Sequence, residues 1–294
     1  MRTTIEIFDR YEAIRPRLPG AQTAVTMHEI DSLLDIAEAD MAFVFDAFGV
    51  LNVGETLIPG ADLRLNQLRA MGCAIRILTN AASYDRDGAI AKFRNLGVTV
   101  QDDEIITSRD ATLAHLGPGH WGVIAASEDT LSDINTPYTR LTDVRAEYEL
   151  VDGFLFLSSA EWTDTRQHLL STSLAGQDRP VLIANADLAA PRDGGFSREP
   201  GYFGHQLADE GAQQVRFFGK PFPEVYELVS NSLTSYPPDR IVMCGDTLHT
   251  DILGAAAQGW GTVLVTQDGL FSGHATADFC DQAKINPDFA LARI

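Results

Sequence analysis

Cysteine is scarce in this 294-residue chain, basic residues are outnumbered by acidic ones, and long apolar runs are missing. Three cysteines, Cys73, Cys244 and Cys280, are too few and too widely spaced for a disulfide framework. Cys73 and Cys244 sit in apolar runs and read as core thiols, which points to a reducing, cytoplasmic setting. No run approaches the roughly 20 residues that cross a bilayer, so no membrane association is expected. The opening MRTTIEIFDRYEAIRPRLPG is charged throughout and lacks the apolar stretch of a signal peptide. With 22 Lys and Arg against 41 Asp and Glu, the formal net charge is −19, which argues against binding nucleic acid. The acidity reads mainly as a solvated surface. It has one consequence: a site for an anionic ligand in such a chain must concentrate local positive charge or a metal.

What is present is an alternation of short buried strands and helices. Residues 1–40 read as a helical extension, with MHEIDSLLDIAEAD carrying apolar residues at three- and four-residue spacing. The apolar run MAFVF at 41–45 then ends in Asp46, with Gly49 and Gly54 serving the backbone of the following loop. DLRLNQLRAMG reads as a helix stopped by Gly72, and CAIRILTNAAS as a buried strand ending in Thr79 and Asn80. YDRDGAIAKFRNLGV reads as a helix, and TVQDDEIITSRDATLAHL as a turn and another helix. From about 121 to 190, WGVIAAS, DGFLFLSS and RPVLIANAD alternate with helical stretches such as EWTDTRQHLLSTSL, while LAAPRDGGFSREPGYFG reads as loop. Strands VRFFG, RIVMCG and TVLVT with helices PEVYELVSNSL and TDILGAAAQG complete the chain. This order predicts an α/β protein with a parallel sheet covered on both faces.

Four of the predicted strands end in polar groups at one sheet edge: Asp46; Thr79 and Asn80; Lys220 after VRFFG; and Asp246 with Asp251 after RIVMCG. The set suits phosphoryl transfer. A carboxylate such as Asp46 can attack phosphorus, but carboxylate and phosphate repel, so a cation must sit between them. Asp46 and Asp246 offer hard oxygen ligands suited to magnesium. Lys220, the Thr79 hydroxyl and the amides near it would hold phosphate oxygens. Asp251, at the start of a helix, could hold a metal-bound water or orient Lys220. Asn185 and Asp187 are candidate substrate contacts or plain turn formers. His205 and His249 titrate near neutrality and could act as acids, although a core-satisfied histidine is the better reading.

The segments FVFDAFGVLNVG, ILTNAAS, FFGKPFPEVY and IVMCGDTLHTDILGAAAQG resemble the four ordered motifs of the haloacid dehalogenase superfamily, over about residues 40–270. IITSRDAT and IANADLAAPRDGG…PGYFG resemble the subfamily of nucleotide, pyridoxal-phosphate, phosphoglycolate and nitrophenyl phosphatases. The resemblance implies a Rossmann-like core at 1–81 and 217–294, an inserted α/β cap at 82–216, and a small phosphorylated metabolite between them. It also implies magnesium held by Asp46, the Phe48 backbone carbonyl, Asp246 and, through water, Asp251, with the cap as a homodimer contact. In most phosphatases of that family the residue two after the nucleophile is an aspartate that protonates the leaving group; here it is Phe48. The implied phosphatase therefore has a weak or modified acid step. Two other readings stay open: a protein that binds a phosphorylated ligand without turnover, and a carbon–halogen hydrolase, which carries an aromatic residue at this position but needs no metal.

Overall fold

The strand Ala42–Phe45 is buried at every position, with Phe43 and Phe45 in one hydrophobic cluster and Ala42 and Val44 in another. A strand covered on both faces belongs inside a parallel sheet flanked by helices. The computed structural model, which describes residues 3–192 and 194–294, places it so. The larger sheet runs His28–Glu29, Phe289–Leu291, Gly261–Val265, Ile241–Gly245, Ala42–Phe45, Ala74–Thr79, Ile105–Thr107, with every neighbouring pair parallel. Register sets Phe45 level with Cys244 on one side and Ile77 on the other, so Asp46, Asp246 and Thr79 emerge at one edge. Helix Ala61–Ala70 buries Ala61, Leu65 and Leu68 on one face, and Pro223–Ser232 buries Val225, Tyr226 and Val229 on the other. Burying one such Leu or Phe is worth about 1.5–3 kcal/mol. The core is the Rossmann-like α/β arrangement expected.

A second parallel sheet of five strands runs Val215–Phe217, Val181–Ile183, Gly153–Phe156, Trp121–Ile124, Tyr138–Arg140. This corrects the boundaries at 82 and 216. Strand Ile105–Thr107 pairs with Ala74–Thr79, and Ala111 of helix Ser108–Leu113 packs with Val225, Tyr226 and Val229, so residues up to 113 build the larger unit. Strand Val215–Phe217, expected in the core, pairs with Val181–Ile183 instead, and the chain re-enters the core only at Gly219. Segment 188–204, expected as loop, contains an antiparallel hairpin, Ala189–Arg192 with Gly195–Arg198, and the start of helix Pro200–Asp209.

The N-terminal extension also differs from expectation. Segment 27–40 forms strand His28–Glu29 and a single 3-10 turn, Leu33–Asp35, because pairing with Phe289–Leu291 overrides its helical spacing. The helix Thr4–Ile14 is real, opened by a Thr3–Glu6 capping box. Its buried face, Ile7, Phe8, Tyr11 and Ile14, packs on Leu248, Ile252 and Leu253 of the larger unit. Tyr11 Oη accepts a hydrogen bond from Leu188 N at 3.1 Å, while Arg10 and the following Arg17 reach Asp209 of the smaller unit at 2.5 and 2.6 Å. This segment straps the two units together. Among the described residues no helix is long and apolar enough to cross a membrane.

A buried ion cluster makes the second junction. Arg109, in the IITSRDAT segment, is 1% exposed and bonds Asp129 at 2.5 Å and Asp133 at 2.6 Å, with a further bond to Ala82 O. Removing one partner from a buried pair strands the other's charge. Arg109→Met should therefore lower unfolding free energy by about 3–5 kcal/mol, measured by urea denaturation; a loss within experimental error would show that Asp129 has an alternative partner.

Candidate active site

Asp46 leaves the sheet with its backbone N–H bonded to Cys244 O at 2.9 Å, and its own Oδ1 accepts from Ala47 N at 2.7 Å. These two bonds aim the carboxylate along the sheet edge. Lys220 meets it there: Nζ lies 2.5 Å from Asp46 Oδ1 and 2.7 Å from Asp251 Oδ1. Lys220 arrives by way of Gly219, whose φ of +92° suits glycine and where a Cβ would stand 2.5 Å from Asn80 Oδ1. Asn80 then grips the lysine backbone twice, accepting from Lys220 N at 2.7 Å and donating to Lys220 O at 3.0 Å.

Asp246 is held by different groups. Thr247 Oγ1 donates to Oδ1 and Leu270 N donates to Oδ2, both at 2.8 Å. Gly49, at φ +77°, lies so close that a Cβ would stand 2.5 Å from Asp246 Oδ2. Asp251 sits in a π-helical turn, Leu248–Ile252, and its Oδ2 accepts from Thr247 N at 3.0 Å. Asp46, Asp246 and Asp251 can each bring one oxygen within 4.8 Å of the other two.

The electrostatics follow from this crowding. Burial pushes the Asp46 carboxyl up to about 6, with Lys220 pulling it down and Asp251 pushing it up. Burial pushes Asp246 up to about 8, with Asp251 and Asp46 adding to the rise. Burial works against the charge of Lys220, yet Asp251, Asp46 and Asp187 outweigh it, and the ammonium is held charged above its usual range. Asp187 is raised well above the usual carboxylate range, first by burial and then by Asp46, with Lys220 opposing. Four carboxyl groups thus share one buried ammonium. A divalent cation among the three clustered carboxylates would offset the surplus, and an all-oxygen set suits magnesium.

A cavity of about 340 Å³ opens onto Asp46. Phe48, Thr79 and Asn80 line it from the larger unit, and Asn185, Asp187, Arg192 and Glu199 from the smaller. Thr79 Oγ1 accepts from Ala81 N at 3.1 Å and keeps its proton for another acceptor. Asn80, expected as a substrate contact, and Asn185, expected as a substrate contact or a turn former, both line the cavity with side chains engaged within the protein. Besides gripping Lys220, Asn80 donates to Asp187 Oδ1 at 2.8 Å; Asn185 accepts from Asp187 N at 2.8 Å and donates to Glu199 at 3.2 Å. Asp251, expected to act through water or by orienting Lys220, contacts Lys220 directly.

His205 and His249 lie outside the cavity. His249 stacks on Tyr11 and contacts Glu12 at 2.5 Å, and His205 stacks on Phe217 at 4.0 Å. Burial pushes His205 down to about 3, so it stays neutral at physiological pH. Among the cavity residues that sequence reasoning missed are Lys92 and Arg192, whose cationic ends lie 4.4 and 4.9 Å from the Phe48 ring centre. Lys92 falls in an ordinary amphipathic helix, and Arg192 falls inside the IANADLAAPRDGG segment, whose resemblance does not single out the arginine.

A haloacid dehalogenase-like hydrolase family model matches residues 43–131, which include Asp46 and Thr79. A second, HAD-hydrolase-like model matches residues 217–294, which include Lys220, Asp246 and Asp251. Chronophin of Rattus norvegicus is 29% identical over 250 residues, covering 79% of this chain and 78% of that protein. The 4-nitrophenylphosphatase of Schizosaccharomyces pombe is 23% identical over 250 residues, covering 78% and 84%. Among solved structures, a possible sugar phosphatase from Cytophaga hutchinsonii superposes with a TM-score of 0.79 at 22% identity, over 90% of this chain and 98% of that one. With the strand that ends in Asp46 in the first matched segment and the lysine and acidic loop in the second, the chain belongs to the haloacid dehalogenase-like hydrolases, on the branch of chronophin and the nitrophenyl phosphatases, and is a hydrolase of the phosphatase type.

Proposed function

We propose that the protein is a magnesium-dependent phosphatase that cleaves a small phosphorylated metabolite through an aspartyl-phosphate on Asp46. The observation that carries this reading is the buried trio Asp46, Asp246 and Asp251 gathered beside Lys220. Asp46, Asp246 and the main-chain carbonyl of Phe48 would hold the ion, with Asp251 behind them. When bound, magnesium neutralises phosphate charge and lets the carboxylate approach.

The rest is done by the chain itself. A free oxygen of Asp46 forms a bond to phosphorus while the bond from phosphorus to the leaving oxygen breaks. Water then attacks the aspartyl-phosphate, which returns the carboxylate and releases inorganic phosphate. Lys220 and Thr79 hold phosphoryl oxygens as charge shifts during both steps. Phe48 has no proton to give, so the leaving oxygen departs as an anion and is protonated by solvent. The smaller unit acts as a cap whose Asp187 loop closes the cavity and limits water.

General-acid help is worth about a hundred- to ten-thousand-fold. Nitrophenyl phosphate should therefore be turned over faster than alkyl phosphates by a factor of that order, and Phe48→Asp should increase alkyl phosphate kcat by about tenfold or more. Asp46→Asn should lower every rate on the order of a thousandfold. Equal native rates for alkyl and aryl esters, in steady-state assays with magnesium, would contradict the missing acid step.

The cluster also sets a pH dependence of stability. A carboxyl with a raised folded pKa favours the folded state while protonated. That contribution is full below the unfolded value of about 3.9 and lost as pH rises through the folded one. For Asp46 the loss runs to about 6, and for Asp246 to about 8. Metal competes with these protons. Magnesium should thus raise Tm more at pH 8 than at pH 6 in thermal unfolding; a larger rise at pH 6, or none at either pH, would remove the cluster as a cation site.

A further inference from the structure

Beyond the carboxylate cluster, the cavity holds two cations that phosphoryl transfer does not use. Lys92, on helix Arg86–Asn95 of the larger unit, and Arg192, on hairpin strand Ala189–Arg192 of the smaller, both line it. They converge on the ring of Phe48, two residues after Asp46, at 4.4 and 4.9 Å from its centre. An aromatic face attracts cations, so Phe48 gathers positive charge beside the position of the leaving group.

Of the two, Lys92 is only weakly matched within the protein, whereas Arg192 is paired and held in place. The Lys92 side chain is 11% exposed, and its ion pair with Glu55 spans 3.6 Å to a side chain 73% exposed. Burial pulls the Lys92 pKa down, with Glu55 only partly opposing. A largely desolvated ammonium whose nearest anion is a solvent-exposed carboxylate is incompletely compensated, and a ligand's negative charge would add to the pairing. Arg192 is fixed by Glu199 at 3.1 Å and by Ser197 Oγ at 3.0 Å, which hold its guanidinium at the cavity wall. The acidic groups around them are engaged or peripheral. Asp129 is bound by Arg109, Asp187 by Asn80 and Glu199 by Arg192, while Glu55 and Glu128 are solvent-exposed.

We propose that Lys92 and Arg192 form a subsite for a second anionic group, a carboxylate carried on the leaving portion of the substrate. The inference rests on the phosphatase reading above and names the class of ester that reading leaves open. Charge-assisted hydrogen bonds of this kind are worth about ten- to a hundredfold in affinity.

Phosphoglycolate and its methyl ester differ in that one charge and little else. With magnesium present, native kcat/KM should favour phosphoglycolate by about tenfold or more, carried mainly by KM. Lys92→Gln and Arg192→Gln should each shrink that ratio several-fold. A native ratio near one, a ratio unchanged in both variants, or an equal fall with both substrates would overturn the subsite. The last outcome would make Lys92 a general acid or a structural element. Calorimetry on the native protein supplies a second arm that needs neither variant nor turnover: phosphonoacetate should bind at least about tenfold tighter than ethylphosphonate, and equal binding would overturn the proposal. Hydrolysis of nitrophenyl phosphate with no charge preference removes the subsite alone. Absence of any hydrolysis removes the phosphatase reading, and the calorimetric comparison still decides the subsite.

Discussion

Repulsion among carboxylates packed at one sheet edge is the constraint around which this molecule is built. Asp46, Asp246, Asp251 and Asp187 converge where burial already disfavours charge, and a single ammonium, Lys220, stands among them. Much of the local structure serves to hold that arrangement. Gly49 clears space for Asp246, Gly219 admits Lys220, and Asn80 fixes the lysine backbone while tethering the Asp187 loop. The same surplus of negative charge would favour a hard cation among these carboxylates, so on the proposed reading electrostatic cost and catalytic competence have one origin.

Much of the site was legible in the chain because buried parallel strands have few options. A run such as AFVF can only lie inside a covered sheet, and a carboxylate right after it must sit at the carboxyl edge. Asp46, Thr79 and Asp246 follow from that rule. Lys220 was identified from a mistaken element: Val215–Phe217 belongs to the smaller sheet, and the lysine reaches the edge by a glycine turn. What stayed hidden depended on tertiary pairing. Strand Ile105–Thr107 is too short to announce itself, and MHEIDSLLDIAEAD has a helix's spacing but meets Phe289–Leu291 as a strand. Lys92 and Arg192 become neighbours only when the two units face each other across Phe48.

Phe48 changes meaning once its surroundings are known. From the sequence it marks a lost proton donor. In the folded chain its ring lines the cavity and draws a lysine from one side of the cleft and an arginine from the other. The position that cannot protonate a leaving group is thereby fitted to recognise one.

The helix Thr4–Ile14 has a wider consequence. It is seated on the hydrophobic surface beneath the π-helical turn that carries Asp251, yet it and the turn after it grip Asp209 and the Leu188 amide on the other side of the cleft. Any widening of the cleft must either rupture these arginine contacts or drag the helix away from its apolar seat. Opening of the cleft is therefore coupled to a segment that lines no part of the cavity.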